Sequence, residues 1–201
     1  MNNKGKGLSR GWWITIAVIA AALIIIFYIV GAYNSFVGLS QNVDSKWSEV
    51  ENQYQRQNDI IGRMIDTVKS QVGVETKFVK DVIAARTAWV DSAGANQLAK
   101  DTAGQQLNSG INAFVNAVAE NYPTLQASEG YTALRDEMVG TQNRITVARG
   151  RYIESIQSYN TAIMRFPAKV IAGMFGFESK EYYSADAGSL TTPALGTGVL
   201  P

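Results

Sequence analysis

The chain has 201 residues, enough for one domain of ordinary size with short appendages. Its 18 basic and 17 acidic residues leave a net charge of +1, whereas nucleic-acid-binding domains normally carry a strongly basic surface. Cysteine and histidine are absent, which excludes disulfide bonds, thiol nucleophiles and Cys/His zinc sites, and removes the commonest general base near neutral pH. We therefore expect no nucleic-acid partner, no metal and no cofactor.

A long apolar run near the start of the chain predicts a transmembrane helix. Residues 11–32 carry no charge, and 22 helical residues extend about 33 Å, enough to cross a hydrocarbon core of about 30 Å. Aromatic side chains lie at both ends, as is typical of membrane–water interfaces. The predicted interface anchors are Trp12, Trp13, Tyr28 and Tyr33.

A cleaved signal peptide is the main alternative to a retained anchor. Lys4, Lys6 and Arg10 would form its basic region, and the small residues Gly31 and Ala32 would suit cleavage after Ala32. The apolar run is longer than the usual 7–15 residues of signal peptides, which favours the retained anchor.

The charges that flank the apolar run predict its orientation. Three basic residues and the amino terminus precede it, and Lys46 is the only basic residue among the next twenty positions. The positive-inside rule then puts the N-terminus in the cytoplasm and the large domain in the periplasm or outside the cell.

Beyond the apolar run, the sequence has the periodicity of long amphipathic helices. Apolar residues recur at alternating steps of four and three, the spacing of a coiled-coil seam. Gly73 interrupts this pattern, and we predict a helix break there. The first stripe comprises Phe36, Ser40, Val43, Trp47, Val50, Tyr54, Gln57, Ile61, Met64 and Val68.

The later part of the chain also predicts helices and no strands. The segment 91–104 has the composition of a connection with a frayed helix start, and Pro123 helps to end the helix that follows it. Ser128 is a candidate N-cap of the last long helix, which Pro167 ends or kinks. The stripe of that helix comprises Tyr131, Leu134, Met138, Ile145, Ala148, Tyr152, Ile156, Tyr159 and Ile163.

A second apolar segment, residues 166–177, is too short to cross a bilayer, since twelve helical residues extend about 18 Å. If the chain breaks at Gly73, four antiparallel helices return this segment towards the membrane face of the bundle. We predict that it packs on the bundle, with lipid contact as the alternative. Its packing or interaction residues are Phe166, Val170, Ile171, Met174, Phe175 and Phe177.

The charged and polar residues are predicted to have structural roles, and we assign no catalytic, cofactor-binding or metal-binding residue. Asp59 and Arg63 have the spacing of a surface ion pair. Gln57, Thr141 and Gln142 lie in or beside a seam, where a polar group can fix register. The basic residues of the last helix alternate with acidic ones, which favours a solvated surface over an anion site. These are Arg135, Arg144, Arg149, Arg151 and Arg165.

Three stretches resemble the LemA family, and together they cover about residues 33–183. They are YNSFVGLSQNVDSKWSEVENQYQRQNDII from position 33, YPTLQASEGYTALRDEMVGTQNRITVARGRYIESIQSYN from position 122, and FPAKVIAGMFGF from position 166. Arg56, Arg149 and Tyr159-Asn160 are among the matching positions, for which the family offers no assigned role. Gly62 stands where the family usually has Pro, and Gln142 where Glu is frequent.

The resemblance implies a membrane-anchored bacterial protein with an antiparallel four-helix bundle, in a family without an established enzymatic activity. The predicted fold is therefore all-α, with a transmembrane helix followed by an up-and-down bundle of four long helices. We predict a short basic tail over residues 1–10, the transmembrane helix over 11–32, the LemA-like bundle over 33–183 and a disordered tail over 184–201.

The leading functional hypothesis is a non-enzymatic scaffold or adaptor in the inner membrane of the bacterial cell envelope. Its expected partners are the lipid bilayer and another membrane or envelope protein, and self-association through the closing apolar segment is a further option. The alternative is an enzyme that uses only Asp, Glu, Arg and Tyr in a bundle cleft, which would need a carboxylate with a raised pKa.

Overall fold

The computed structural model describes residues 10–72 and 76–181, and within them the chain is helical without any strand. These described residues form six successive α-helices, four of them with at least 15 residues and two much shorter. Their bounds are Arg10–Val72 (α1), Lys77–Asp91 (α2), Gln97–Asn121 (α3), Pro123–Gln126 (α4), Glu129–Met164 (α5) and Ala168–Phe175 (α6), with a 3₁₀ turn at Ser92–Gly94. The all-α prediction is confirmed.

Helix α1 is one continuous helix of 63 residues that contains both the apolar run and the first packing stripe. It holds one stretch long and apolar enough to cross a membrane, and none of the most apolar part of that stretch is buried. The stripe that begins at Phe36 is buried at every position except the half-buried Ser40. The predicted domain boundary between residues 32 and 33 therefore falls inside a helix.

The connections between helices follow local sequence signals. Helix α1 ends at Val72 and α2 begins at Lys77, on either side of the predicted break, although Gly73 itself lies outside the described residues. Pro123 follows the end of α3 closely, as predicted. The predicted tail over residues 184–201 also lies outside the described part of the chain.

Residues 91–104 contain a connection and the start of α3, but this helix begins at Gln97 with a cap and is not frayed as predicted. Asn96 caps this helix, and its side-chain oxygen accepts a hydrogen bond from the backbone N–H of Ala99 at 2.9 Å. The cap satisfies one of the unpaired N–H groups of the first turn, which is how a helix can start in a stretch rich in small residues.

The described residues form two compact units, one of residues 10–44 with 155–180 and one of residues 45–72, 76–154 and 181. In the second unit, α2 and α5 run antiparallel to α1, while α3 runs parallel to it. Four helices thus alternate up and down, as predicted. The contacts that set these directions are Trp47–Tyr152 and Arg56–Glu137 for α5, Tyr54–Trp89 and Asn58–Arg86 for α2, and Tyr54–Asp101 and Gln57–Asn108 for α3.

The main core of this second unit draws on all of its helices. Burying each large apolar side chain contributes about 1.5–3 kcal/mol relative to leaving it exposed, so this cluster is the principal source of the bundle's stability. It comprises Ile60, Ile61, Met64, Ile65, Val68, Val79, Val82, Leu107, Ile111, Phe114, Val118, Leu125, Tyr131 and Met138.

The first unit contains α6 and the segment that follows it. Gly176 ends α6 with a φ of 73°, a left-handed conformation that favours glycine. The N–H of Phe177 then donates to the carbonyl of Ala172 at 2.9 Å, and the Phe177 ring packs edge-on against Phe36 with centroids 5.3 Å apart. The left-handed turn thereby brings the end of the closing segment onto α1.

Candidate functional site

A hollow of about 320 Å³ opens in the second unit between α1, α2 and the start of α3. Trp47 and Tyr54 lie two turns apart on α1, so both face this hollow, and Trp89 of α2 stands against Tyr54 with ring centroids 6.2 Å apart. Lys100 donates to Glu51 at its edge. The hollow is lined by Trp47, Glu51, Asn52, Tyr54, Gln55, Trp89, Val90, Ser92, Ala93 and Lys100.

A buried ionic network lies behind the Tyr54 ring. The Tyr54 hydroxyl donates to Oδ1 of Asp101 at 3.1 Å, while Gln105 Nε2 and Arg149 Nη2 donate to Oδ2 at 2.7 and 2.9 Å. Asp101 has no exposed surface at all. Three hydrogen-bond donors, one of them a guanidinium group, therefore hold this carboxylate inside the bundle.

Burial sets the acidities of this network. It raises the pKa of the Asp101 carboxyl, and the Arg149 guanidinium and the hydrogen bonds from Gln105 and Tyr54 act in the opposite direction. Burial also raises the pKa of the Tyr54 hydroxyl, to which the adjacent Asp101 charge adds. The phenol therefore stays protonated near neutral pH and serves as a donor to Asp101.

Gly104 makes room for this arrangement. A Cβ atom at this position would lie closer than 3.0 Å to three carbon atoms of the Tyr54 ring. Tyr54 is only 1% exposed, so its ring has little space in which to move. Glycine is required here because the ring packs directly against the backbone of α3.

The sequence-based interpretation missed the Asp101–Arg149 pair. The mixed charges of the last long helix predict a solvated Arg149, and residues 91–104 predict a connection at Asp101, so these patterns give no reason to pair the two. The spacing of α3 held a usable signal, because counting back from Leu107 in steps of three reaches Gly104 and then Asp101. A carboxylate in line with a buried stripe needs a buried partner.

A second hollow, of about 410 Å³, lies between α1 and α5 in the same unit. Arg151 and Glu49 stand 3.8 Å apart at this hollow, and Val147 is exposed in it. Asn52 lines both hollows, so they flank α1 on its two sides. The second hollow is lined by Glu49, Asn52, Gln53, Asn143, Arg144, Val147, Ala148 and Arg151.

Glu137 of α5 links two arginines of α1. Arg56 and Arg63 each donate to one of its carboxylate oxygens at 3.0 Å, and the hydrogen bond from Arg56 is the main reason that its pKa is lowered. Arg63 was expected to pair with Asp59, whose carboxylate instead accepts from Gln55 at 3.3 Å. Arg63 therefore pairs with a carboxylate on α5 and not with Asp59, the local partner that the spacing within α1 predicts.

The predicted site residues of the first unit are mostly exposed. All four predicted interface anchors are exposed on α1. In the closing segment, Ile171 is buried and Phe177 half-buried. The remaining predicted residues of the segment are exposed: Phe166, Val170, Met174 and Phe175. The segment therefore has one covered side and one uncovered side.

Tyr159 and Asn160 of α5 hold the chain that leaves α6. The Tyr159 hydroxyl donates to the carbonyl of Glu178 at 3.0 Å. The Asn160 side chain accepts from the N–H of Lys180 at 2.9 Å and donates to its carbonyl at 2.8 Å. The Lys180 ammonium group reaches Asp44 at 3.2 Å. These contacts secure the end of the closing segment to the first unit.

Comparison with known proteins decides the family. The model of the LemA family matches residues 46–195, about three quarters of the chain. The chain belongs to the LemA family.

Three magnetosome proteins are similar to this chain. MamQ 1 and MamQ 2 of Paramagnetospirillum magneticum strain AMB-1 are each 25% identical to this LemA protein over 224 residues, which cover 98% of this chain and 82% of theirs. MamQ of Magnetospirillum gryphiswaldense is 27% identical over 195 residues, covering 84% of this chain and 72% of its own. None of these names describes a reaction.

Two of the three polar seam residues of this LemA protein, Gln57 and Gln142, bond to another helix, while the Thr141 hydroxyl donates to the Glu137 carbonyl of its own helix. Gln57 and Thr141 are fully buried, and Gln57 donates to Asn108 of α3. Gln142 donates to Asn112 at 3.1 Å. Such pairs stabilise one register of the helices over its neighbours. In the described part of the chain, no group of three acidic side chains is arranged to hold a metal ion.

Proposed function

We propose that this LemA protein is a membrane-tethered helical scaffold or adaptor that acts through protein–protein contacts without catalysing a reaction. The continuity of α1 carries the proposal: one helix holds an exposed apolar span and, from Phe36 onward, a buried packing stripe. A bundle tethered in this way meets its partners at or near a membrane, where a short tether raises their effective concentration.

The two hollows beside α1 are the proposed docking surface. They combine aromatic and apolar side chains with charged edges, which is the composition of protein interfaces, where Trp, Tyr and Arg contribute most of the binding energy. Trp47, Trp89 and Val90 supply the apolar contact in the first hollow. Val147 and Arg151 supply apolar and basic groups in the second.

The enzymatic alternative requires a reachable carboxylate with a raised pKa. Asp101 has the raised pKa, but it is fully buried and accepts hydrogen bonds from three side chains. A substrate would have to displace the Tyr54 ring to reach it. This supports a structural role for Asp101, in which it fixes the position of α3 against α1 and α5.

We propose the inner membrane of a bacterial cell envelope as the location, with the N-terminus in the cytoplasm and the bundle in the periplasm or outside. The basic residues before the apolar run support this orientation. Because the chain has no cysteine, a single Ala113→Cys variant on the exposed side of α3 can report it. A membrane-impermeant maleimide should label this variant in intact cells whose outer barrier has been opened. Labelling only after the inner membrane is lysed would show that the bundle lies in the cytoplasm, opposite to the proposed orientation.

Site-specific photocrosslinking tests the docking surface. A benzoylphenylalanine residue is placed at Val90 or Val147 of the full chain in its native membrane, with Ala113 on α3 as the matched exposed control. We expect a discrete crosslinked partner from Val90 and Val147 that Ala113 does not give. The same mixture of abundant proteins from all three positions would refute the scaffold proposal, and a crosslink only to a second copy would replace the envelope partner with self-association.

A further inference from the structure

Helix α6 lies beside the residue at which the apolar span ends. The Tyr33 ring packs edge-on against Phe175 and Phe177, with centroids 5.1 and 5.6 Å apart. Tyr33 directly follows the uncharged run 11–32, whose helical length of about 33 Å matches a hydrocarbon core of about 30 Å. If that run crosses the bilayer, α6 lies at the level of the membrane–water interface.

One side of α6 is apolar and uncovered. Val170 and Met174 lie four positions apart on α6 and are 58% and 71% exposed, and Phe166, just before the helix, is 87% exposed, whereas Ile171 and Ala172 on the other side are buried. Phe175 adds further exposed apolar surface next to Tyr33. Helix α6 therefore has a covered apolar side that attaches it to its own unit and an uncovered apolar side that water would solvate poorly.

The charges around α6 suit an anionic surface. From Ser155 to Phe177 the sequence has no acidic residue, and its only charged residues are Arg165 and Lys169, both exposed. Long basic side chains can keep their charged ends among lipid headgroups while their stems lie on apolar surface. An ordinary solvated helix surface would carry charges of both signs.

We propose that α6 is a second membrane contact, whose uncovered side lies in the headgroup region of the bilayer that α1 crosses. The partner is a lipid surface with anionic headgroups, which receives Phe166, Val170 and Met174 between its lipids and pairs with Arg165 and Lys169. This contact is independent of the docking surface beside α1, and it holds α6 and the outer end of the span at the same depth. It also explains why the closing segment is apolar on both sides, since one side packs on its own unit and the other contacts lipid.

Spin labels at three matched valines test this contact in the full chain. Val30 in the span, Val170 on α6 and Val139 on α5 are 52%, 58% and 50% exposed, and each is replaced singly by Cys in a chain that has no other cysteine. The variants are reconstituted in vesicles of phosphatidylcholine with a minority of phosphatidylglycerol. Power-saturation EPR then compares collisions with oxygen, which enriches in lipid, and with a water-soluble nickel chelate.

We expect V170C to share with V30C a low nickel collision rate and a high oxygen collision rate, while V139C collides freely with nickel. Nickel collisions at V170C equal to those at V139C would overturn the proposal. So would suppression of both collision rates at V170C, since that pattern means cover by protein, from a second copy or elsewhere. A Met174→Glu variant that remains folded by circular dichroism should raise nickel collisions at V170C towards the V139C value; no change would also refute lipid contact.

Discussion

The hydroxyl group of Tyr54 donates a hydrogen bond to the carboxylate of Asp101, 47 positions later in the chain and fully buried. This contact joins α1 to α3 at the base of the aromatic hollow, and Arg149 extends it to α5. A polar contact that links three helices specifies which faces meet more sharply than apolar packing alone. The stability of the bundle and the shape of the hollow therefore depend on the same residues.

Replacing Tyr54 by Phe should destabilise the protein by about 1–3 kcal/mol, because a buried charged acceptor loses a donor. Tyr131→Phe is the matched control: its hydroxyl is also buried but has no hydrogen-bond partner in the described part of the chain, and burial raises its pKa to about 12. Removing that hydroxyl should be neutral or stabilising. Denaturant unfolding of the full chain in detergent, followed by circular dichroism, measures both. Equal losses in the two variants would contradict the assigned role of the Tyr54 hydroxyl.

Replacing Gly104 by Ala should destabilise the protein by about 1–3 kcal/mol, because the added methyl group overlaps the Tyr54 ring and forces the packing of α1 on α3 to shift. Gly140→Ala on α5 is the control, since its Cβ would meet nothing within 4 Å and alanine favours a helix by about 1 kcal/mol. The same unfolding assay should therefore give changes of opposite sign. A stabilised G104A variant would show that the two helices are less closely packed than described.

The stabilities contributed by the buried Asp101 carboxylate and the half-buried Glu137 carboxylate should respond to pH in opposite directions. The pKa of Asp101 is raised in the folded protein, so between its unfolded pKa near 3.9 and its folded pKa the native state binds the extra proton. Its contribution is fully present below about pH 4 and is lost as pH rises. The stability of D101N relative to the unsubstituted chain should therefore increase between pH 4 and 7.

Glu137 provides the opposite case, because hydrogen bonding to Arg56 lowers its pKa in the folded protein. Its contribution is present above the unfolded pKa near 4.3 and is lost as pH falls through the folded value. E137Q should lose stability relative to the unsubstituted chain as pH rises from 3 to 5. Unfolding midpoints of both variants across this range test the signs, and parallel profiles for D101N and E137Q would refute the assignment.

Replacing Asn160 by Ala should release the chain after α6, because it removes both side-chain hydrogen bonds to the Lys180 backbone. We expect faster amide exchange in peptides that cover residues 176–181, since the Lys180 N–H loses its acceptor. Asn143→Ala on the same helix is the control, as that side chain is exposed. Hydrogen-exchange mass spectrometry compares the two variants. Unchanged exchange in N160A would mean that the ring contacts of Phe177 alone hold this segment.

The hydrophobic periodicity of the sequence was sufficient to predict the helices and most of the buried core residues. The stripes of α1 and α5 are buried at nearly every predicted position, because a residue that recurs at steps of three and four always faces the same side of a helix. The start of α3 was predicted to be frayed, because Asn96 and the small residues after it resemble a loop unless the cap is seen. Composition also indicated the membrane span, since an uncharged run of this length is rarely found elsewhere.

The partners of the charged residues could not be predicted in the same way. Arg63 pairs with Glu137 and not with Asp59, and Arg149 with Asp101 and not with solvent. Arg63 has an acceptable local neighbour in Asp59 and Arg149 has none at helical spacing, yet in both cases the tertiary structure supplies a carboxylate on another helix in a less exposed position. Ion pairs strengthen as water is excluded, so the choice depends on which helix faces meet.

By itself, the sequence of this LemA protein determined an apolar span, an all-helical body and the residues that face its core, because these follow from hydrophobic periods along a single helix. Only the tertiary structure decided that the span and the first bundle helix are one helix, that Gly104 admits the Tyr54 ring, and that Asp101 lies buried beneath it. It also decided that α6 leaves one apolar side uncovered next to Tyr33. These features depend on contacts between residues tens of positions apart, and hydrophobic periodicity along the chain does not predict such contacts.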